Sequence, residues 1–256
     1  MSRILNLVSA GVFATAIAAS AAPVVSQTAA QTTVVLVHGA FADGSSWSEV
    51  APLLQAEGLK VVAIQNPLTS LADDVAFTRR AIEAQNGPIV LVGHSWGGTV
   101  ITEAGDDERV QALVYVAAFA PSPGETTAEL GKDYPTPPGL ANPVVDASGF
   151  LTLSPETIAE HFAQDVSPEQ ASLIAVTQGA IRGASFEEAV SVAAWETKPS
   201  WYIVAEQDHM IDPRLQQDFA KKINAHVTSL PTSHVPMISR AQDVAQVIIE
   251  AAETTR

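Results

Sequence analysis

The chain has 256 residues, 47% of them hydrophobic, and no cysteine. That is enough apolar material for one α/β domain with a full core, and the missing thiols exclude disulfides, thiolate nucleophiles and cysteine metal sites. A formal charge of −15 repels phosphate backbones and argues against nucleic acid as a partner.

The first thirty residues differ from the rest. Arg3 is the only charge before Asp43, and the apolar run from Ile4 to Ala19 gives way to Ala19-Ser20-Ala21-Ala22-Pro23. A basic start, an apolar centre and small residues at the cut are the layout of a secretory signal peptide. Residues 1–22 are therefore expected to be removed, with cleavage as late as residue 30 as the alternative. Residues 31–256 then form the mature domain, periplasmic or secreted. A spanning helix needs roughly 20 apolar residues. This alanine-rich run is shorter, so no stable membrane anchor is expected after processing.

Six later runs read as strands: Thr33 to His38, Lys60 to Gln65, Pro88 to Gly93, Val110 to Ala118, Trp201 to Ala205 and Val227 to Leu230. Most are almost continuously apolar, as parallel strands covered on both faces must be. Helical patterns separate them. Ser46 to Ala56 carries Val50, Leu53 and Leu54 on one side. Ser70 opens the next, with Asp73 completing a capping box, and Asn86-Gly87-Pro88 stops it. Gly98 to Ala104, Pro213 to Ile223 and Ala241 to Ala252 follow. The alternation implies right-handed crossovers and a doubly wound, mainly parallel sheet of about six strands.

From Ala120 to about Thr197 the alternation stops and no strand is expected. A proline-rich stretch, Pro121 to Pro143, leads into helical patterns at Ser154-Pro155, at Ser167-Pro168 and from Phe186 to Trp195. Serine at the N-cap with proline at N1 is a strong helix start. The simplest reading is a helical lid at about 120–197, over the sheet's carboxyl edge, where ligands bind in such folds.

Gly93-His94-Ser95-Trp96-Gly97 reads G-x-S-x-G, between a strand and a helix. That pattern holds a serine on a sharp turn. A hydroxyl is a poor nucleophile alone, so Ser95 needs a base, and the base needs an orienting acid. His234 follows the last strand and Asp208 follows the fifth. The order serine, aspartate, histidine is the one this kind of sheet uses. His161, His226 and His94 are less well placed as base. Asp212 and Glu125 are the rivals of Asp208. An oxyanion hole is the fourth part. Gly39 lets the loop after the first strand fold back, so that the Ala40 N–H can join that of Trp96, at a helix's positive end. His38 is expected to brace this loop. Phe41 and Phe162 are expected to line an apolar pocket, with core packing as the other reading of Phe162.

These residues resemble the α/β-hydrolase superfamily over essentially the whole chain after residue 32. Within it, the loop from His38 to Trp47 is similar to the H-G-A-x-x-G-x-W-x-W loop of the plant methylesterase and hydroxynitrile lyase group. Ser233-His234-Val235-Pro236-Met237 is similar to that group's D-H-x-x-M. Ser45 stands where that loop has its first tryptophan. The lyases usually carry threonine where this chain has Gly39, and lysine where it has Val235. Valine cannot stabilise a departing cyanide, so the resemblance points to the esterase members. It implies a serine carboxylic ester hydrolase for a small or medium ester, with no metal or organic cofactor. Lactone hydrolysis, acyl transfer or perhydrolysis could use the same residues. The reading from another class is a ligand-binding protein that keeps the fold without turnover.

Overall fold

Thr33–Val37 (β1) reads Thr-Val-Val-Leu-Val and is buried along its whole length. A run of branched side chains with no polar face needs cover on both sides, and the fold supplies it. The computed structural model describes residues 31–255. The expected signal peptide at 1–22 lies outside them. The remaining strands are β2 (Lys60–Ala63), β3 (Ile89–His94), β4 (Val110–Val116), β5 (Val144–Val145), β6 (Phe150–Thr152), β7 (Ile181–Arg182), β8 (Ser200–Ala205) and β9 (His226–Leu230).

Six of these form one sheet in the order β2-β1-β3-β4-β8-β9, every pair parallel. β3 and β8 are buried throughout, whereas the edge strands β2 and β9 are half exposed. The chain steps outward from β1 to β2 and then crosses back to β3. Right-handed crossovers therefore send the following helices to opposite faces. The loops after β1 and β3 diverge and leave a crevice at their carboxyl ends.

The helices that flank the sheet are α1 (Val50–Ala56), α2 (Leu71–Glu83), α3 (Trp96–Ala104), Pro213–Lys222 and Ala241–Glu253. In Ala241–Glu253 the buried residues Val244, Val247, Ile248 and Ala251 recur at helical spacing, which is the stripe a sheet-covering helix must have. α3 is buried on nearly all sides, packed against β3 and α2. Ser70 caps α2 through its side chain, which accepts from the Asp73 N–H. The return half of the expected capping box is replaced: the Asp73 carboxylate accepts from the Thr69 hydroxyl at 2.7 Å. Among the described residues no helix is long and apolar enough to cross a membrane.

The region 120–197 corrects two expectations. It contains strands: β5, β6 and β7 form a small antiparallel sheet. Strands of two or three residues are too short to show an alternating pattern, and β7 lies far along the chain from β6. Phe186 to Trp195 is not one helix. Two 3-10 turns, Gly183–Glu187 and Ala194–Glu196, bracket an extended piece. There Val190 donates to the Glu125 carbonyl and accepts from the Gly124 N–H. Pairing with a distant segment overrides the local helical spacing. The two Ser-Pro starts do begin helices. Ser154 caps Pro155–Thr157, which continues as one π-type turn to Phe162. Ser167 and Gln170 form a full capping box on Pro168–Thr177.

Candidate active site

Ser95 sits at the end of β3 with φ 53° and ψ −120°. A non-glycine residue there carries strain of order 1–3 kcal/mol. Backbone bonds hold it: Ser95 donates to the Val116 carbonyl, and its own carbonyl accepts from Gly98 and Phe119. The turn can be this tight because position 97 has no side chain. A Cβ on Gly97 would lie 2.5 Å from the Val37 carbonyl oxygen. Trp96 opens α3, so its N–H has no acceptor within the helix.

The loop after β1 comes equally close. A Cβ on Gly39 would lie 2.7 Å from the Ser95 Cβ and 3.0 Å from the His94 carbonyl. Glycine here lets the loop approach the serine this closely. Among the described residues, neither the Ala40 nor the Trp96 N–H has a hydrogen-bond partner. His38 braces this loop. Its Nε2 accepts from the Asn66 N–H at 2.8 Å, so the proton is on Nδ1, which donates to the Gly39 carbonyl at 2.8 Å. Burial lowers its pKa, and both nitrogens are already engaged.

His234 and Asp208 are both buried, 1% and 5% exposed. His234 Nδ1 donates to Asp208 Oδ2 at 2.7 Å. Asp208 is held by three further donors: the Met210 and Ile211 N–H groups on Oδ1, and Gln216 Nε2 on Oδ2 at 2.7 Å. A carboxylate fixed on both oxygens cannot swing away from the imidazole, and the Nδ1–H tautomer leaves Nε2 as the basic nitrogen. The loop after β9 must cross back over the sheet edge to reach β3. His94 ties it there, Nε2 donating to the His234 carbonyl at 2.7 Å. The His94 Nδ1 is buried without a partner, and burial holds its pKa well below the ordinary histidine value.

Ser95 and His234 face one cavity of about 340 Å³. No hydrogen bond joins Ser95 Oγ to His234 Nε2 among the described residues. Phe41 lines this cavity, with Phe119, Leu140, Phe186 and Met210. The cavity is apolar apart from a few groups, as small-molecule sites usually are. Phe162 is not among the lining residues. It is 1% exposed and sets its ring edge-on to His234, centroids 5.1 Å apart. Its place is behind the histidine, fixing the imidazole by contact.

The rival groups have other partners. Asp212 caps the helix Pro213–Lys222 and pairs with Arg214. Glu125 pairs with Lys222, His226 stacks on Trp201, and His161 meets His209. Three supporting residues were not foreseen. Gln216 holds Asp208, and Asp165 accepts from the Ser233 N–H at 3.0 Å. Asp74 accepts from the Trp96 indole. Each reads in sequence as an ordinary polar residue of a helix or loop, and no local signal marks Gln216 and Asp74 as buried.

Residues 34–247 match the alpha/beta hydrolase family. The chain is 29% identical over 252 residues to a pyrethroid hydrolase from Sphingobium wenxiniae, covering 87% of this chain and 88% of that one. It is 28% identical over 243 residues to a probable hydrolase from Phoma sp., covering 86% and 97%. Plant methylesterases are also among its relatives. The crystal structure of polyneuridine aldehyde esterase superposes with a TM-score of 0.76 at 20% identity, covering 87% of this chain and 99% of that one.

Proposed function

The chain belongs to the alpha/beta hydrolase family, and from that premise we propose that it is a serine carboxylic ester hydrolase for small or medium apolar esters. The observation that carries this reading is the buried Asp208–His234 hydrogen bond of 2.7 Å beside Ser95 on the wall of one apolar cavity. Ser95 Oγ attacks the ester carbonyl while His234 Nε2 takes its proton. Asp208 keeps the imidazole in the productive tautomer and stabilises the imidazolium. The Ala40 and Trp96 N–H groups hold the oxyanion; one such donor is worth about 10²–10³ in rate. His234 returns the proton to the leaving alcohol. Water, activated by the same nitrogen, then clears the acyl group from Ser95.

Kinship with a named pyrethroid hydrolase and a named probable hydrolase supports hydrolysis over the other reactions this site could run. Gly39 supports it too, since a threonine there would press on Ser95. In the same reading residues 1–22 direct export to the periplasm or beyond. Mass measurement of the protein recovered from that compartment should show the N-terminus at or near residue 23. The test of the chemistry is hydrolysis of p-nitrophenyl butyrate by the wild type and by Ser95→Ala. The variant should lose activity by at least 10³-fold with unchanged thermal stability. Equal rates would overturn the proposal.

A further inference from the structure

Asp74 is fully buried, 0% exposed, yet no cation meets it among the described residues. Its carboxylate takes two N–H donors from different parts of the fold. Trp96 Nε1 donates to Oδ2 at 2.8 Å, and the Leu68 backbone N–H donates to Oδ1 at 2.8 Å. Both contacts lead somewhere. Trp96 supplies the N–H assigned above to the oxyanion. Leu68, held at a φ of 58°, accepts from the Arg182 N–H of β7 at 2.9 Å. The indole is closed on its other side by Phe186, edge-on with centroids 5.2 Å apart, and Phe186 lines the cavity.

We propose that Asp74 is a positioning residue for the oxyanion hole, its carboxylate fixing the Trp96 side chain and so the placement of the Trp96 N–H. The inference rests on the ester-hydrolase reading. A buried carboxylate without a cation is an expensive support, and neighbouring charge adds to the cost. Asp73 lies beside it on α2, and Glu188 approaches from the insertion, where it accepts from the Leu71 N–H. The face contributed by α3 is the indole, which does not ionise, while Glu103 at the far end of α3 lies near Arg79. Burial, opposed by the two N–H bonds and reinforced by Asp73 and Glu188, raises the Asp74 pKa to about 6. The two protonation states differ in geometry. The carboxylate accepts from both donors. The neutral acid carries a proton on one oxygen, so one of the two N–H groups loses a good acceptor. Protonation therefore loosens the indole or the Leu68 peptide.

The test compares kcat and KM for p-nitrophenyl butyrate from pH 5 to 8 in the wild type, Asp74→Asn, Trp96→Phe and the double variant. Asparagine presents an amide donor to one of the two N–H groups and so imitates the protonated state. Asp74→Asn should lower kcat about tenfold at pH 7.5, the scale of a small misplacement of a reacting group, with KM within about twofold. Trp96→Phe should do the same, and the double variant should be no worse than the worse single change. The acid limb of kcat should fall with two protons in the wild type and one in each variant. Wild-type kcat with an unchanged limb in Asp74→Asn would overturn the proposal, as would losses that multiply in the double variant. If Asp74→Asn does not fold, Trp96→Phe decides alone: wild-type kcat with a two-proton limb overturns it. Ser95→Ala separates this inference from its premise. Activity that needs Ser95 but ignores Asp74 sinks only the inference. Activity that survives Ser95→Ala sinks the premise.

Discussion

At the carboxyl edge of the large sheet, His38, His94, His234 and Asp208 are each 5% exposed or less. In the region 120–197 above it, Val144, Val145, Leu173 and Val176 are 52–77% exposed. The edge binds its polar groups with short bonds from several elements, and Asp208 alone has four donors. Above it, these four apolar side chains stand largely in water. The contrast separates two tasks. Groups that must be placed within a few tenths of an ångström are built on strand ends and locked. Groups that need only shape a cavity come from short turns and a three-stranded patch of minimal strands. A few residues of the upper region, Phe162, Asp165 and Phe186, cross that division because they reach down to the edge.

Four substitutions measure how sharp the division is. Asp208→Asn attacks the edge directly. It keeps the shape but allows the wrong tautomer of His234, and kcat should fall by about 10³–10⁴ while circular dichroism stays unchanged. Gly39→Ala places a methyl group where 2.7 Å separates it from the Ser95 Cβ. The loop must retreat, and kcat/KM should drop about 10²-fold. A wild-type rate there would mean that the Ala40 N–H is not used. Phe162→Ala tests the exception. Removing a buried ring from behind His234 should cost about 3 kcal/mol in chemical denaturation and lower kcat with it. Stability lost with kcat intact would return Phe162 to plain packing. Val176→Ser, at 77% exposure, should change stability by no more than about 0.5 kcal/mol and leave both kinetic constants alone.

The same division governs what could be read from the residues. The six core strands were legible because buried parallel strands are apolar on both faces. Asp208 and His234 were legible because they follow such strands and the chemistry fixes their order. The upper region was not. β5 and β7 have two residues each, too short to show an alternating pattern, and β7 pairs with a strand that is distant in sequence. Gln216 and Asp74 show the other limit. A glutamine in a charged helix and the second of two aspartates in a helix's first turn both read as solvated, the latter as a complement to the helix dipole. Asp73 is indeed exposed while Asp74 is buried, and only the packing of α2 against α3 decides which is which. Phe162, buried as its core-packing reading has it, shows a related limit: an apolar residue announces that it is buried, not which wall it faces.

The bond from the Leu71 N–H to Glu188 spans 117 positions of the chain, and His234 lies 139 positions beyond Ser95. During synthesis the strained serine turn can form once β4 has emerged, since its backbone bonds reach only to Phe119. The packing that steadies Trp96 waits for Phe186, and the base arrives close to the end. Domains fold as their segments emerge, so under the proposed mechanism Ser95 would lack its base until the molecule around it is nearly whole.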